Sequence, residues 1–173
     1  MKIKAAYSLL LLTFISTFIF AQSQPPKEFE EAFTKLKLSV KYELKSFSKP
    51  PYLQSDFNSD GIKDIAILIM QKATKKQGIL LMHGNSDQYF IFGAGTKFGT
   101  RSDNFKWLKG WSLYNKKAAY ETIFNKDGDI LGGKKISLLR PALYVRDLED
   151  GKPTAGGLIY WTGKKYIWIH QGE

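Results

Sequence analysis

The chain of 173 residues has 26 lysines and arginines, 16 aspartates and glutamates, and no cysteine. The lack of cysteine excludes disulfide bonds as a means of stabilising a small core. The length suits one domain, because no linker-like stretch or repeat period divides the chain. The lysines occur largely as scattered pairs at predicted turns, which favours a solvated surface and argues against a nucleic-acid site. Attraction to anionic polymers of a cell surface stays open.

The first 21 residues have the three regions of a secretory signal peptide. Two lysines precede a short apolar run, and Ala21 supplies a small residue before a polar segment. The run is too short and too near the terminus to favour a permanent transmembrane helix. No cysteine follows it, which excludes a lipid-anchored lipoprotein. We therefore predict a signal peptide over residues 1–21 and one mature domain over 22–173, periplasmic or secreted, with 24 basic and 16 acidic residues and a net charge of +8.

An amphipathic helix is predicted after Pro25-Pro26. Apolar residues recur at intervals of four, three, four and four, which places them on one helix face: Phe29, Phe33, Leu36, Val40 and Leu44. Glutamates lie near the start of this segment and lysines near its end, as the helix dipole favours. Pro50-Pro51 forbid continuation of the helix. We expect the stripe to pack on the core, since the early acidic residues argue against a helix on a membrane surface.

An oxygen-rich loop precedes the most apolar segment of the chain. Residues 56–64 read DFNSDGIKD and run into IAILIM over 65–70. Gly61, at position 6, can adopt the positive φ that a tight curl needs. Oxygen groups fall at positions 1, 3, 5, 7 and 9, from Asp56, Asn58, Asp60, the backbone carbonyl of Ile62, and Asp64. Because Ca²⁺ binds six to eight oxygens, we predict a calcium site, with a solvated turn as the alternative.

The loop resembles the D-x-[DN]-x-D-G-x-x-D calcium loop of FG-GAP and VCBS repeats, which also precedes an apolar β-strand. An EF-hand is excluded, because its twelfth position requires glutamate and here that position is Ile67. The resemblance implies that the five groups named above bind Ca²⁺. A propeller is not implied, since a propeller needs several blades and this chain has one copy of the full pattern.

Short antiparallel strands are predicted for the rest of the chain. The continuous apolar run over 65–70 indicates a strand that is buried on both faces. Further strands are predicted over residues 79–82, 89–92, 120–124, 136–139 and 143–145. The clearest hairpin is C-terminal, where 158–161 and 166–169 flank a four-residue connection with glycine. One helix followed by six to eight strands predicts an α+β fold, in which the N-terminal helix packs on a mainly antiparallel β-sheet or a small β-sandwich.

The C-terminal hairpin carries a second resemblance. Residues 157–168 read GLIYWTGKKYIW. Together with a single loop-and-strand segment, this hairpin resembles a group of uncharacterised exported bacterial proteins that are described only as VCBS-like. The resemblance spans much of the mature chain and implies no assigned activity.

No catalytic residue is predicted. A hydrolase could use His83 as base with Asp87 as its orienting acid, and Ser86 or Ser112 as nucleophile. The spacing does not require this arrangement, and no G-x-S-x-G elbow occurs. Zinc sites need paired ligands that the two histidines do not offer. Acidic residues elsewhere could form the pair that glycoside hydrolysis needs, but nothing in the sequence selects two of them.

Four tryptophans are many for a domain of this size. Aromatic rings stack on sugars and anchor protein interfaces, but they are also ordinary core residues. Trp107 and Trp111 lie among glycine, lysine and asparagine, and we predict that they form an exposed partner-binding patch. Trp161 and Trp168, in the C-terminal hairpin, are predicted to lie in the core.

Three functions are consistent with these observations. The leading hypothesis is an exported, non-catalytic module that is stabilised by Ca²⁺ and binds a cell-envelope polysaccharide or a protein. The second is an inhibitor or immunity protein of a secreted enzyme, and the third is a small exported hydrolase. Nucleic acid is not a predicted partner, and no membrane-spanning segment is expected after signal cleavage.

Cleavage after Ala21 predicts a defined mature product, because the small residue ends the apolar run where a signal peptidase cuts. Protein recovered from the cell envelope or the medium should have the intact mass of residues 22–173 and stay in solution without detergent. Mass spectrometry of the intact protein measures this. A mass that still includes residues 1–20 would contradict the prediction.

Overall fold

A computed structural model describes residues 24–99 and 102–172, so the predicted signal peptide lies outside the described residues. Among the described residues, no helix has the length and apolarity needed to cross a membrane. The elements in chain order are α1 (Lys27–Lys35), α2 (Leu38–Lys41), β1 (Tyr42–Leu44), β2 (Tyr52–Ser55), β3 (Asp64–Gln71), β4 (Gln77–Met82), β5 (Tyr89–Gly93), β6 (Gly110–Tyr114), β7 (Ala118–Phe124), β8 (Ile130–Ser137), β9 (Ala142–Glu149), β10 (Lys152–Trp161) and β11 (Tyr166–Gly172).

The strands form two sheets and a separate hairpin, and all the strand pairs are antiparallel. In the first sheet β1 and β2 both pair with β3, which is followed by β4 and β5. The second sheet has the order β11-β10-β9-β6, and β7 pairs with β8. The predicted β-rich, antiparallel architecture is confirmed. The described part of the chain has more strands than the six to eight predicted, because β1 falls within the predicted helix and neither β2 nor β6 was predicted.

The two sheets face each other across a shared apolar core. Alternate residues of β3 and β4, such as Leu68 and Leu81, share one buried cluster with Trp111 of β6 and Ile159 of β10. The opposite face of β3 contributes to a second cluster through Ile65, Ile67 and Ile69. Strand β3 is therefore buried on both faces, as its continuous apolar sequence predicts.

A third cluster lies on the outer face of the second sheet. Leu158 of β10 and Ile169 of β11 are buried there with Ala119 of β7 and Leu138, which follows β8. The β7–β8 hairpin thus covers part of this face. The predicted C-terminal hairpin is also confirmed, since β10 and β11 pair with Trp161 opposite Tyr166.

The predicted continuous helix over the Phe29–Leu44 stripe is wrong in its second half. Helix α1 ends at Lys35, and Lys37 has a left-handed φ of 54°. After the short α2 the chain becomes strand β1, where its backbone pairs with the end of β3. Leu38 and Tyr42 are buried instead of Val40, which is 74% exposed, and Leu44 is 37% exposed. Pairing with β3 satisfies the backbone groups of this segment, so it does not need helical hydrogen bonds.

Replacing Phe33 with alanine tests the role of α1. Phe33 is buried in the cluster that includes Ile65 and Ile67, so its loss should lower the free energy of unfolding by roughly 3–5 kcal/mol. Val40→Ala is the matched control, because this exposed side chain should change stability by less than about 0.5 kcal/mol. Urea denaturation measures both effects. Equal stability of the two variants would show that α1 does not contribute to the core.

Candidate functional site

The loop over residues 56–64 connects β2 to β3 and is anchored to the core by one buried side chain. Ser55 and Asp64 form the last pair of the two strands. Phe57, the second residue of the loop, is fully buried in the cluster between the sheets. Ser59 and Gly61 have φ angles of 62° and 88°, which curl the loop back toward β3. The loop is thus a fixed part of the β2–β3 hairpin.

The first three predicted ligands turn their side chains toward the inside of this curl. The N–H of Asp60 donates to Asp56 Oδ1 at 3.1 Å and to Asn58 Oδ1 at 3.0 Å. The N–H of Gly61 donates to Asp56 Oδ2 at 2.9 Å, and that of Ile62 to Asp60 Oδ1 at 2.8 Å. Asn58 Nδ2 also donates to Asp60 Oδ2 at 2.8 Å. The side-chain oxygens of Asp56, Asn58 and Asp60 therefore lie close together.

Asp64 is fully buried and has a different set of partners. Its Oδ2 accepts from the N–H groups of Phe57 at 2.8 Å and Asn58 at 3.3 Å, and its Oδ1 accepts from the N–H of Gly84 at 2.9 Å. A Cβ on Gly84 would lie 2.4 Å from the carbonyl oxygen of Lys63, so only glycine permits this close approach. The Asp64 carboxylate therefore joins the loop to the turn that follows β4.

The carboxyl groups of the loop differ in their electrostatic surroundings. The hydrogen bonds from the Asn58 side chain and the Ile62 N–H lower the pKa of Asp60. Burial raises the pKa of Asp64, although its N–H donors and the nearby His83 oppose this shift. Arg140 Nε donates to the carbonyl oxygen of Asn58 at 3.0 Å and brings one positive charge to the loop. Lys63 lies within the loop as well, so two cations beside three carboxylates leave a net charge of −1.

The donor chemistry of Asp56, Asn58 and Asp60 fits a hard cation, because their oxygens converge at the surface. The Asp64 carboxylate already accepts three hydrogen bonds from backbone N–H groups. Of its roughly four acceptor positions, only one, on Oδ1, is left. Within residues 24–99 and 102–172 there is no group of three or more His, Cys, Asp or Glu side chains arranged to hold a metal.

His83 is a buried member of an aromatic cluster. Its Nδ1 lies 2.9 Å from Gln88 Oε1, and its Nε2 lies 2.8 Å from the hydroxyl of Tyr166. The rings of Phe90 and Trp161 lie with centroids 5.1 and 5.2 Å from the imidazole. Burial raises the pKa of Tyr166, so its hydroxyl stays protonated. Both ring nitrogens of His83 are thus occupied by hydrogen bonds within the core.

The residues of the hydrolase alternative are not brought together. Asp87 forms an ion pair with Lys35 at 2.9 Å on the surface. The Ser86 hydroxyl donates to the carbonyl oxygen of His83, and that of Ser112 accepts from Arg146. His83, Asp87 and the two serines therefore do not form the hydrogen-bonded series of nucleophile, base and orienting acid. Their geometry gives no support to a hydrolase.

The predicted exposed tryptophan patch is wrong for Trp111, which is 2% exposed. Trp111 points from β6 into the core between the sheets, and its indole N–H donates to the carbonyl oxygen of Pro50 at 2.8 Å. Trp107 is half-buried against the rings of Phe105 and Trp168. In the C-terminal hairpin, Trp161 is buried as predicted, whereas Trp168 is only half-buried. Whether each tryptophan is buried depends on whether the opposite sheet covers the face on which its side chain lies.

Two clefts lie near these residues. One, of about 800 Å³, lies between α1 and the turn after β4, and Ile62 and Lys63 of the loop line part of it. The other, of about 510 Å³, lies between β7 and β11 and is lined by Phe124 and Trp168. Phe57, Gly84 and Arg140 support the loop but were not predicted from the sequence. A buried position for Phe57 could have been suspected from its large apolar side chain inside a polar loop.

Comparison with protein-family models, with curated proteins and with solved structures finds no match for this chain.

The structural role of Asp64 can be separated from metal binding by comparing two alanine variants in the presence of a chelator. Asp64→Ala leaves the N–H groups of Phe57, Asn58 and Gly84 without this acceptor, and should destabilise the domain by about 3 kcal/mol or more, since each unsatisfied group costs about 1–3 kcal/mol. Asp60→Ala removes an exposed carboxylate, and its unfolding midpoint should stay near that of the wild type. Urea denaturation measures both variants. A wild-type midpoint for Asp64→Ala would refute this role.

Proposed function

We propose that the protein is an exported, non-catalytic module that binds Ca²⁺ through the loop over residues 56–64 and binds a polysaccharide or protein of the cell envelope. The observation that carries the proposal is the convergence of the Asp56, Asn58 and Asp60 oxygens in a loop curled at Gly61. The resemblance of the loop to that of FG-GAP and VCBS repeats supports the same conclusion.

Asp56, Asn58, Asp60 and the Ile62 carbonyl would hold the ion, and Asp64 would contribute through the free acceptor position of Oδ1. A bound Ca²⁺ supplies positive charge that offsets the mutual repulsion of the three carboxylates. The low pKa of Asp60 keeps this carboxyl ionised at neutral pH, as a ligand must be. Phe57 and Asp64 hold the loop in its curl before the ion binds, which reduces the entropy that binding must offset.

Export and docking of the N-terminal helix belong to the same proposal. The signal-like first 21 residues support a periplasmic or secreted location, where Ca²⁺ concentrations can reach the range that weak extracellular sites require. The burial of Phe29 and Phe33 and the ion pair between Lys35 and Asp87 support packing of α1 on the first sheet. The helix would then form one wall of the larger cleft beside the calcium loop.

Calcium should stabilise the wild-type domain. The gain follows RT ln(1 + [Ca²⁺]/Kd) and reaches about 2.7 kcal/mol at a hundredfold excess over Kd. Since extracellular sites often have Kd values of about 10⁻⁴–10⁻³ M, millimolar calcium is needed to observe it. Asp60→Ala should abolish the response, because it removes a ligand and leaves Gly61 to form the turn. Thermal unfolding with calcium or chelator, together with calorimetric titration, measures the effect.

Asp127→Ala is the matched control for this experiment. Asp127 lies in a second polar turn, where Asn125 Oδ1 accepts from the N–H groups of Asp127 and Asp129, but this turn lacks the nine-residue pattern. The variant loses one negative charge, as Asp60→Ala does, and should keep the full calcium response. If wild-type protein binds no calcium at millimolar concentration and its melting curve does not respond to chelator, the loop is a turn and the proposal fails.

A further inference from the structure

The cleft between β7 and β11 has the size and lining of a ligand site. Its volume of about 510 Å³ lies within the range of about 300–1,000 Å³ that small-molecule sites occupy. Glu121 and Phe124 of β7 line the cleft together with Lys165, Trp168 of β11 and Phe98. No segment of the described chain fills this space. The lining thus combines the aromatic side chains of Phe98, Phe124, Tyr166 and Trp168 with the charged groups of Glu121 and Lys165.

The aromatic walls are held in place rather than left mobile. A Cβ on Gly157 would lie 2.3 Å from Trp168 Cζ2, and a Cβ on Gly99 would lie 2.7 Å from Trp168 Cβ. Glycine at both positions therefore makes room for the indole. The rings of Phe98 and Trp107 contact it at right angles, with centroids 6.4 and 6.3 Å away. A ligand that contacts Trp168 would not have to order it first.

Trp168 is kept in this position at a cost to stability. Its indole N–H is buried and has no hydrogen-bond acceptor among the described residues. A phenylalanine would provide an aromatic ring without this unsatisfied donor. Phe124 is 38% exposed, and its ring is held edge-on against the His170 imidazole, with centroids 4.9 Å apart. The unsatisfied Trp168 donor and the accessible Phe124 ring are both consistent with a role in binding.

The charged groups select the class of ligand. The Glu121 carboxylate and the Lys165 ammonium form no ion pair or side-chain hydrogen bond with another described residue, so both can bind a ligand. One accepts hydrogen bonds and the other donates them, and their charges cancel. An anionic polymer would require a net positive cleft. A neutral sugar fits better, because its hydroxyls pair with both groups and its C–H faces stack on aromatic rings.

We propose that this cleft binds a neutral carbohydrate, through stacking on Phe124 and Trp168 and hydrogen bonds to Glu121 and Lys165. The inference rests on the proposed function, since it specifies a polysaccharide as the envelope partner. Neither Trp107 nor Trp111, the pair that the sequence indicated, lines this cleft, although Trp107 packs against Trp168.

The test is calorimetric titration of the mature protein with a panel of soluble oligosaccharides built from glucose, mannose, galactose, xylose or N-acetylglucosamine. Binding should be seen for at least one of them at about 10 mM or below, the weak end of specific affinity. Phe124→Ala and Glu121→Gln should each weaken binding about tenfold or more. Phe124→Tyr should retain it, because the ring is kept. Tyr120→Ala, which removes a 65% exposed ring from the same strand outside the cleft, is the control and should bind as the wild type does.

Absence of binding to the whole panel would overturn the proposal, as would binding that Phe124→Ala and Glu121→Gln leave unchanged. Binding of triglycine at this site, without any oligosaccharide, would assign the cleft to a peptide and also overturn it. Titrations with calcium and with chelator separate the two proposals. Carbohydrate binding without calcium binding refutes only the loop, and calcium binding without carbohydrate binding refutes only the cleft.

Discussion

The burial of the Asp64 carboxylate is the constraint on which the rest of this region depends. A buried carboxylate is tolerated only when hydrogen bonds replace its lost water, and here three backbone N–H groups do so. Two of these donors belong to the loop and the third belongs to Gly84, twenty residues further along the chain. One side chain thereby sets the start of β3, the curl of the loop and the position of the turn after β4.

In this arrangement, one set of loop residues holds the backbone and another set presents oxygen atoms at the surface. Phe57 and Asp64 face inward and hold the backbone, whereas Asp56, Asn58 and Asp60 keep their oxygens near the surface. A loop supported in this way can hold its shape while it carries excess negative charge. The same division explains why stability and calcium binding are expected to respond to different substitutions.

The layered architecture explains why the two clefts lie at the margins of the sheets. The central face of each sheet is covered by the other sheet, so no space for a ligand remains between Leu68 or Leu81 and Ile159. One cleft lies beside α1, and the other lies beside β7 of the β7–β8 hairpin. The side chains that line these margins come from segments far apart in sequence.

The sequence by itself determined the features that depend on local patterns. The apolar run over 65–70 predicted a strand buried on both faces, Gly61 predicted the curl, and the glycine-containing connection predicted the C-terminal hairpin. Only the tertiary structure decided that Trp111 is buried, that the first helix ends before Lys37, and that Asp64 turns toward Gly84. Periodicity and turn chemistry act over a few residues, whereas burial depends on which distant element covers a given face.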